Sequence, residues 1–382
     1  MAEAMHTDRV VVKKKPDRAA FHRNAWCILG IPFDALDMDM ALRHLYASAA
    51  IRRGCVIATP NLNFIATALH DPSFRDSVID SELSLADGMP IVWVAKLLGL
   101  PIHDRVAGSN LFDAMWHGPV EHSIRVFFLG GEGNAATDAC EQLDRRVAPG
   151  TCAGSLNPGF GDIATMSTPD IITQINSSQA NFLIIALGAK KGQAWIQHNR
   201  DRLDIPLISH LGAVVNFAAG RVQRAPRWVQ NAGLEWSWRI LKEPTLWRRY
   251  AVDGGIALRL LITRILPYAV KLKTVFRAYQ QVPLAIELED TETERFVRLR
   301  GSFTQAQLVP AREAFHEAVT SGKNIILDLA NLIYIDSSAI ALIMIMYKYR
   351  GTDQLRITNL SQRVRQIFYF NNALYLVDGQ SK

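Results

Sequence analysis

The stretch CVIATPNLN at residues 55–63 decides the fold class. Four apolar residues, Cys55 to Ala58, suit a buried strand, and Thr59, Pro60 and Asn61 end it where a helical run begins. A second ending of this kind is SLADGMP at 84–90, where an apolar run through Leu83 and Leu85 stops at Asp87 and Gly88. In open α/β sheets ligands bind beyond the carboxyl ends of the strands, so Thr59, Asn61 and Asp87 are candidates to face one cleft. The same residues also have a purely local explanation, Asp87-Gly88 as a turn and Asn61 as a helix cap.

Working outward, short apolar runs at Trp26 to Leu29, Val126 to Leu129, Phe182 to Ala186 and Pro206 to Ser209 alternate with helical segments such as Met38 to Arg52 and Ala135 to Val147. That alternation predicts a mainly parallel α/β sheet over 25–215. Residues 216–280 read as helix, ending in an amphipathic stretch from Gly255 to Phe276 with Leu258, Leu261, Ile262 and Ile265 at helix spacing. From about Gln280 a new pattern starts: a hairpin, then strand, turn and helix, then strand and helix. The expected organisation is a disordered basic lead (1–24), an α/β domain (25–250), a basic helical linker (251–282) and a small α/β domain (283–382).

With 382 residues and 49% hydrophobic content, the chain can build two cores. Cys27, Cys55, Cys140 and Cys152 show neither a C-x-x-C pair nor zinc spacing and read as reduced, mostly buried thiols of a cytoplasmic protein. Arg9, Lys13, Lys14, Lys15 and Arg18 are not followed by the apolar core of a signal peptide. The best candidate membrane span, Gly255 to Val270, is interrupted by Arg259, Arg264 and Pro267.

Charge is concentrated. Residues 221–277 hold twelve Lys/Arg against Glu235, Glu243 and Asp253, more than the net +6 of the whole chain, together with Trp228, Trp236, Trp238 and Trp247. Cations interleaved with indoles suit an anionic membrane surface met from the cytoplasmic side; a solvated basic helix with core-packing tryptophans is the plainer alternative. No nucleic-acid-binding motif is present, so no nucleic acid partner is expected. The one D-x-D, Asp37-Met38-Asp39, directly precedes a helical run and reads as caps rather than a metal site. The histidines show no ligand spacing, and FLGGEGN at 128–134 fits no nucleotide-binding glycine motif. Neither metal nor cofactor is expected.

Five segments carry a resemblance: TPN at 59–61, ADG at 86–88, DRVAG at 104–108, FFLGG at 127–131 and, above all, AAGRVQRAPRWVQNAGLEWSWRILKEPTLWRRY at 218–250. Together they resemble the WecG/TagA/CpsF family, glycosyltransferase family 26. The resemblance implies a Rossmann-like, metal-independent and inverting glycosyltransferase that moves a hexose or N-acetylhexosamine-type sugar from a UDP-sugar to a polyprenyl-diphosphate-linked acceptor, in bacterial cell-surface glycan synthesis. It implies Asp87 as general base, with Gly88 beside it, Thr59, Asn61 and Arg105 lining the pocket, and Arg221, Arg224 and Arg249 closing on the diphosphate. Where the family has a glutamine and a glutamate in "G.PKQE.W", GAKKGQAW places Gly192 and Gln193; Gln193 is the substitute by a one-residue shift.

The last domain, through LDLANLIYIDSSAIALIM at 327–344, resembles a STAS domain, named for sulphate transporters and anti-sigma-factor antagonists. Ser337 falls on that family's phosphorylation turn, with Ala339 in place of the usual glycine, and a serine kinase or other regulator is the implied partner. Read as a residue, Ser337 is a helix N-cap. The alternative to an enzyme is a non-catalytic regulatory protein whose STAS domain binds an anti-sigma-type serine kinase.

Overall fold

A computed structural model describes residues 16–231 and 233–378. Six strands build the larger sheet: β3 (Cys55–Ala58), β4 (Leu83–Ser84), β5 (Arg125–Gly130), β6 (Thr151–Leu156), β7 (Phe182–Ala186) and β8 (Leu207–His210). Their order is β4-β3-β8-β7-β5-β6 and every pairing is parallel. β3, β7 and all but the last residue of β8 are near-continuously buried, as expected of strands covered on both faces by helices. Asp37 caps the Met38–Ala50 helix by accepting from the Met40 N–H at 2.7 Å, the local role its position suggested.

One expected strand lies elsewhere. β1 (Ala25–Ile28) does not enter the parallel sheet but pairs antiparallel with β2 (Ile31–Asp34). The cause is the two-residue connection Leu29-Gly30, both at positive φ (50° and 94°), which suits a tight hairpin. A Cβ on Gly30 would lie 2.8 Å from the Asn372 carbonyl oxygen, so the turn also needs glycine to approach the last domain. Asp34 ties the hairpin to the sheet: its carboxylate binds Arg23 and accepts from the Ser84 N–H at 2.7 Å.

The last domain has β9 (Ala285–Asp290), β10 (Glu294–Phe303), β11 (Asn324–Ile335) and β12 (Leu355–Thr358) in the order β12-β11-β10-β9, with only the β9–β10 hairpin antiparallel. The hairpin, the strand–turn–helix and the closing strand and helix follow the sequence reading. Its core is not private. Phe21, Ala25, Cys27, Tyr268 and Phe276, from the lead, the first hairpin and the linker, are buried in one cluster with Phe303, Phe315, Ile340 and Phe368. The expected disordered lead therefore ends earlier: Asp17 caps a short helix, Arg18–Phe21, and Phe21 stacks on Tyr349. Residues 1–15 lie outside the described residues. Across the same junction Glu82 binds Arg200 at 2.7 Å and Lys348 at 3.1 Å, both cations being almost fully buried.

The linker continues as helix from Trp247–Leu260 through a π-turn at Leu261–Ile265 to Leu266–Lys273. Of the four residues expected on one apolar face, Leu258 and Ile262 are exposed, whereas Leu261 is half-buried and Ile265 is buried. The extra residue of the π-turn shifts the phase, so the helix shows two apolar faces, one against the protein and one outward through Leu258, Ile262, Leu266 and Val270. Trp228, Trp236 and Trp247 are also exposed. Among the described residues no helix is long and apolar enough to cross a membrane.

The expectation of four reduced cysteines needs correction. Cys27 and Cys55 are free and buried, and burial pushes both thiols up to about 12. Cys140 and Cys152 are joined in a disulfide, their Cα atoms 5.4 Å apart. One sits on the Ala135–Asp144 helix and the other on the adjacent strand β6, a proximity that linear spacing does not reveal.

Candidate active site

Three loops meet at the carboxyl edge of β3 and β4. The Leu85 N–H donates to the Ala58 carbonyl (2.9 Å), the Asp87 N–H to Pro60 (3.0 Å) and the Val106 N–H to Ala86 (2.9 Å). These bonds hold TPN, ADG and DRVAG side by side, so Thr59, Asn61, Asp87, Gly88 and Arg105 are brought together as the sequence suggested. Gly108 opens the Gly108–Trp116 helix and turns its N–H toward Asp87 Oδ2 at 3.4 Å. A Cβ there would lie 2.3 Å from Leu211 Cδ2 and 3.3 Å from Thr59 Oγ1, so only glycine lets the helix start this close.

Asp87 is partly buried, and loss of hydration pushes its carboxyl up to about 6; Glu235 adds to the rise, while Arg105, Arg239 and the Gly108 N–H oppose it. It is not a cap, since Gly88 holds the N-cap position of the Met89–Leu98 helix without a side-chain bond. Asn61 does cap its helix, accepting from the Phe64 N–H through Oδ1 at 3.2 Å. Thr59 is buried.

The arginines divide. Arg105 Nη1 binds Glu235 Oε2 at 2.8 Å, and Glu235 Oε1 lies 3.8 Å from Arg239 Nη2. Arg224 and Arg239 approach the ring of Phe217 at 5.9 and 5.6 Å. Arg224 also donates to Ser109 Oγ at 3.1 Å and to the Asn110 side-chain oxygen. Arg105 and Arg239 thus meet at Glu235, and Arg224 meets Arg239 at Phe217. Arg221 is placed differently: it pairs with Asp138 at 2.6 Å and donates to the Glu132 carbonyl. Arg249 is exposed and lies against Tyr250, 5.2 Å from the ring centre. Neither makes a described contact with Asp87, Thr59, Asn61 or Arg105.

On the other flank, Gln193 is buried on the Ala189–Asn199 helix with neither amide atom partnered, and the buried His210 Nε2 is likewise unpartnered. Burial lowers the His210 pKa to about 4, so the ring is neutral at pH 7. Gly192 abuts that ring: a Cβ would lie 2.3 Å from His210 Cδ2. His210 thus fills the space beside Gly192, at the end of the strand that pairs with β3. Glu235, Arg239 and His210 are absent from the sequence-based site. The signal for Glu235 is that it is one of three acids in a strongly basic segment; no comparable signal marks His210.

Ser337 lines a cavity that none of these groups reaches. Asp336, not Ser337, caps the Ser337–Gln354 helix, accepting from Ala339 N–H at 2.9 Å. The sequence-based cap assignment for Ser337 is overturned because the preceding aspartate reaches the helix amides first. Ser337 is 2% exposed and borders a cavity of about 410 Å³ lined also by Leu98, Tyr268, Gln280 and Gln305, between the two domains. Asp87 lines neither this cavity nor the one of about 340 Å³ around Arg53 and Cys55. Among the described residues, no three His, Cys, Asp or Glu side chains gather as a metal-binding group.

Comparison with known proteins agrees with both halves of this architecture. Residues 285–374 match the STAS domain model. A curated relative from Bacillus spizizenii, an N-acetylglucosaminyldiphosphoundecaprenol N-acetyl-beta-D-mannosaminyltransferase, is 27% identical over 197 residues, 52% of this chain and 75% of the relative. Residues 26–270 match the model of the glycosyl transferase WecG/TagA/CpsF family, and the chain therefore belongs to that family of glycosyltransferases, with a STAS domain following its catalytic fold.

Proposed function

We propose that this glycosyltransferase moves an N-acetylhexosamine-type sugar or hexose from a UDP-sugar to a polyprenyl-diphosphate-linked sugar, with inversion and with Asp87 as general base. The observation that carries the reading is Asp87 itself: a carboxyl with a pKa near 6, held at a strand end beside Thr59, Asn61 and Arg105 with one long hydrogen bond from Gly108. A base with a pKa just below neutrality is ionised at pH 7 yet still able to take a proton.

In this reading Asp87 removes the proton of the acceptor hydroxyl as that oxygen attacks the anomeric carbon. The bond from that carbon to the phosphate oxygen breaks, and its electron pair leaves with UDP. Thr59 and the Asn61 amide orient sugar hydroxyls. Arg105 and Arg224, joined by Arg239, stabilise the departing diphosphate by charge-assisted hydrogen bonds. Arg221 and Arg249 would have to leave Asp138 and Tyr250 to join them. The relative named above acts on an acceptor carried on diphosphoundecaprenol, which supports a lipid-linked acceptor here. A peripheral site on the cytoplasmic membrane face is supported by the exposed Trp228, Trp236 and Trp247 and by the outward row Leu258, Ile262, Leu266 and Val270.

The test is transfer from a panel of UDP-sugars to a short-chain lipid-diphosphate acceptor, with and without chelator. Transfer by the native protein that survives EDTA and is lost in Asp87→Asn is the expected result. Full turnover in Asp87→Asn, or its abolition by EDTA, overturns the scheme.

A further inference from the structure

Arg105 is already engaged by an acid of its own chain. Glu235 reaches it across 130 positions of sequence, from the first turn of the Glu235–Lys242 helix, at 2.8 Å and with both side chains largely shielded from water. The second carboxylate oxygen points to Arg239 at 3.8 Å. One carboxylate so spans two guanidiniums, which is the geometry in which a phosphoryl group is bound by paired arginines. One donor beside this pair is also unmet: Arg224 Nε is buried without a partner.

We infer that Glu235 is a positioning residue that stands in for the substrate diphosphate: it holds Arg105 and Arg239 and yields them to phosphate oxygens when a nucleoside diphosphate enters. This rests on the reading of the site as a diphosphosugar pocket. Charge supports the exchange. Counting Arg224, which meets the same Phe217 ring as Arg239, three guanidiniums against Glu235 and an ionised Asp87 leave one positive charge in excess, short of the two negative charges on a diphosphodiester. Releasing Glu235 restores the balance. The groups facing Asp87 are Arg105, Glu235, Arg239 and the Gly108 N–H, so moving Glu235 away also removes a neighbouring anion that disfavours ionised Asp87. Diphosphate binding and readiness of the base are thereby coupled through one side chain. The segment that carries Glu235 is anchored behind it, where Gly233 at φ 73° packs on Met89 and Trp93, which leaves the side chain itself as the moving part.

The test compares the native chain with Glu235→Gln, Glu235→Asp and Arg105→Lys by calorimetric titration with UDP and, separately, inorganic pyrophosphate, alongside the pH profile of transfer. Glu235→Gln is expected to bind both anions about five- to tenfold more tightly and to move the acidic limb of kcat/KM to lower pH. Glu235→Asp is expected to fall between the native chain and Glu235→Gln in both properties, and Arg105→Lys to weaken binding. Unchanged or weaker anion binding in Glu235→Gln, with a native melting temperature, overturns the exchange and makes Glu235 a plain strut. If Glu235→Gln unfolds, Glu235→Asp decides alone, since its shorter reach must also raise anion affinity above native. Failure of the donor assignment is distinguishable: the native protein then binds pyrophosphate but not UDP. Binding of neither anion by any variant overturns the inference outright.

Discussion

Asp87 and Asp336 each follow a strand of a parallel pair and stand at or just before the start of a helix, yet their carboxylates have opposite surroundings. Asp336 accepts from the Ala339 and Gln305 N–H groups at 2.9 and 2.8 Å and from the Ser338 hydroxyl at 2.6 Å. Asp87 has a single N–H, from Gly108, at 3.4 Å. Burial raises the pKa of both. Only Asp336 is supplied with the donors that compensate a buried carboxylate, so it acts as structure; Asp87 is left with capacity to accept a proton, which is what a base requires. Unmet hydrogen-bonding capacity also marks Gln193 and His210 on the same edge, whereas at the domain junction Glu82 meets Arg200 and Lys348.

The strongest way to break this comparison is to exchange each aspartate for its amide and measure transfer. Asp87→Asn is expected to lower kcat/KM by about 10²–10⁴, the usual contribution of a general base, while Asp336→Asn leaves transfer within a few-fold of native. Equal losses would mean that Asp87 is structural too.

Next in size is the junction. Glu82→Gln removes the carboxylate that pairs with both Arg200 and Lys348 and leaves Asp80 to face the two buried cations, and the expected destabilisation is about 3 kcal/mol, measured by urea unfolding. Burial has already lowered the Lys348 pKa to about 8, with Glu82 opposing that fall. Removing Glu82 should therefore lower it further, so that the unfolded chain binds more protons than the folded one over a wider window and the variant's loss of stability shrinks as pH rises. Unfolding in two separated steps for the native chain would contradict the shared core of Phe21, Tyr268 and the STAS residues.

A smaller effect isolates the cap. Asp336→Ala is expected to cost about 1 kcal/mol for the lost cap, with Ser337→Ala near neutral because Asp336, not Ser337, supplies it. A larger cost for Ser337→Ala would return the cap to the serine.

These contrasts explain which parts were legible in sequence. The strands at 126–129 and 182–186 and the β9–β10 hairpin were readable because hydrophobic period and turn residues are local signals. Trp26 to Leu29 misled, since an apolar run says nothing of which sheet it joins; Leu29-Gly30 settled that. The TPN, ADG and DRVAG loops converge through backbone bonds between Ala58, Pro60, Ala86 and their partners; the position of TPN and ADG at strand ends foretold their meeting, whereas Arg105 was reached only through the family resemblance. Glu235 was hidden because its meaning lies in Arg105, far away along the chain. Arg221 and Arg249 carried the same local appearance as Arg224, and only packing separated Arg224, beside Ser109, Asn110 and Phe217, from the other two.

The finest distinction between the two aspartates is one of stability against pH. A carboxyl whose pKa rises from 3.8 in the unfolded chain to about 6 in the folded one binds more protons when folded across that window. Stability contributed by this group is therefore intact below pH 3.8 and falls as pH rises through 6, after which the ionised folded form carries the full penalty. Asp87→Asn removes that penalty. The expected gain is on the order of 1 kcal/mol at pH 8, a discount from the roughly 1.4 kcal/mol per pKa unit of an unrelaxed site, and it should vanish near pH 3. Thermal melts at the two pH values check it. A site kept at a cost to stability is expected where function needs an unsatisfied group, so an Asp87→Asn variant no more stable than native at pH 8 would count against the raised pKa and against the contrast with Asp336.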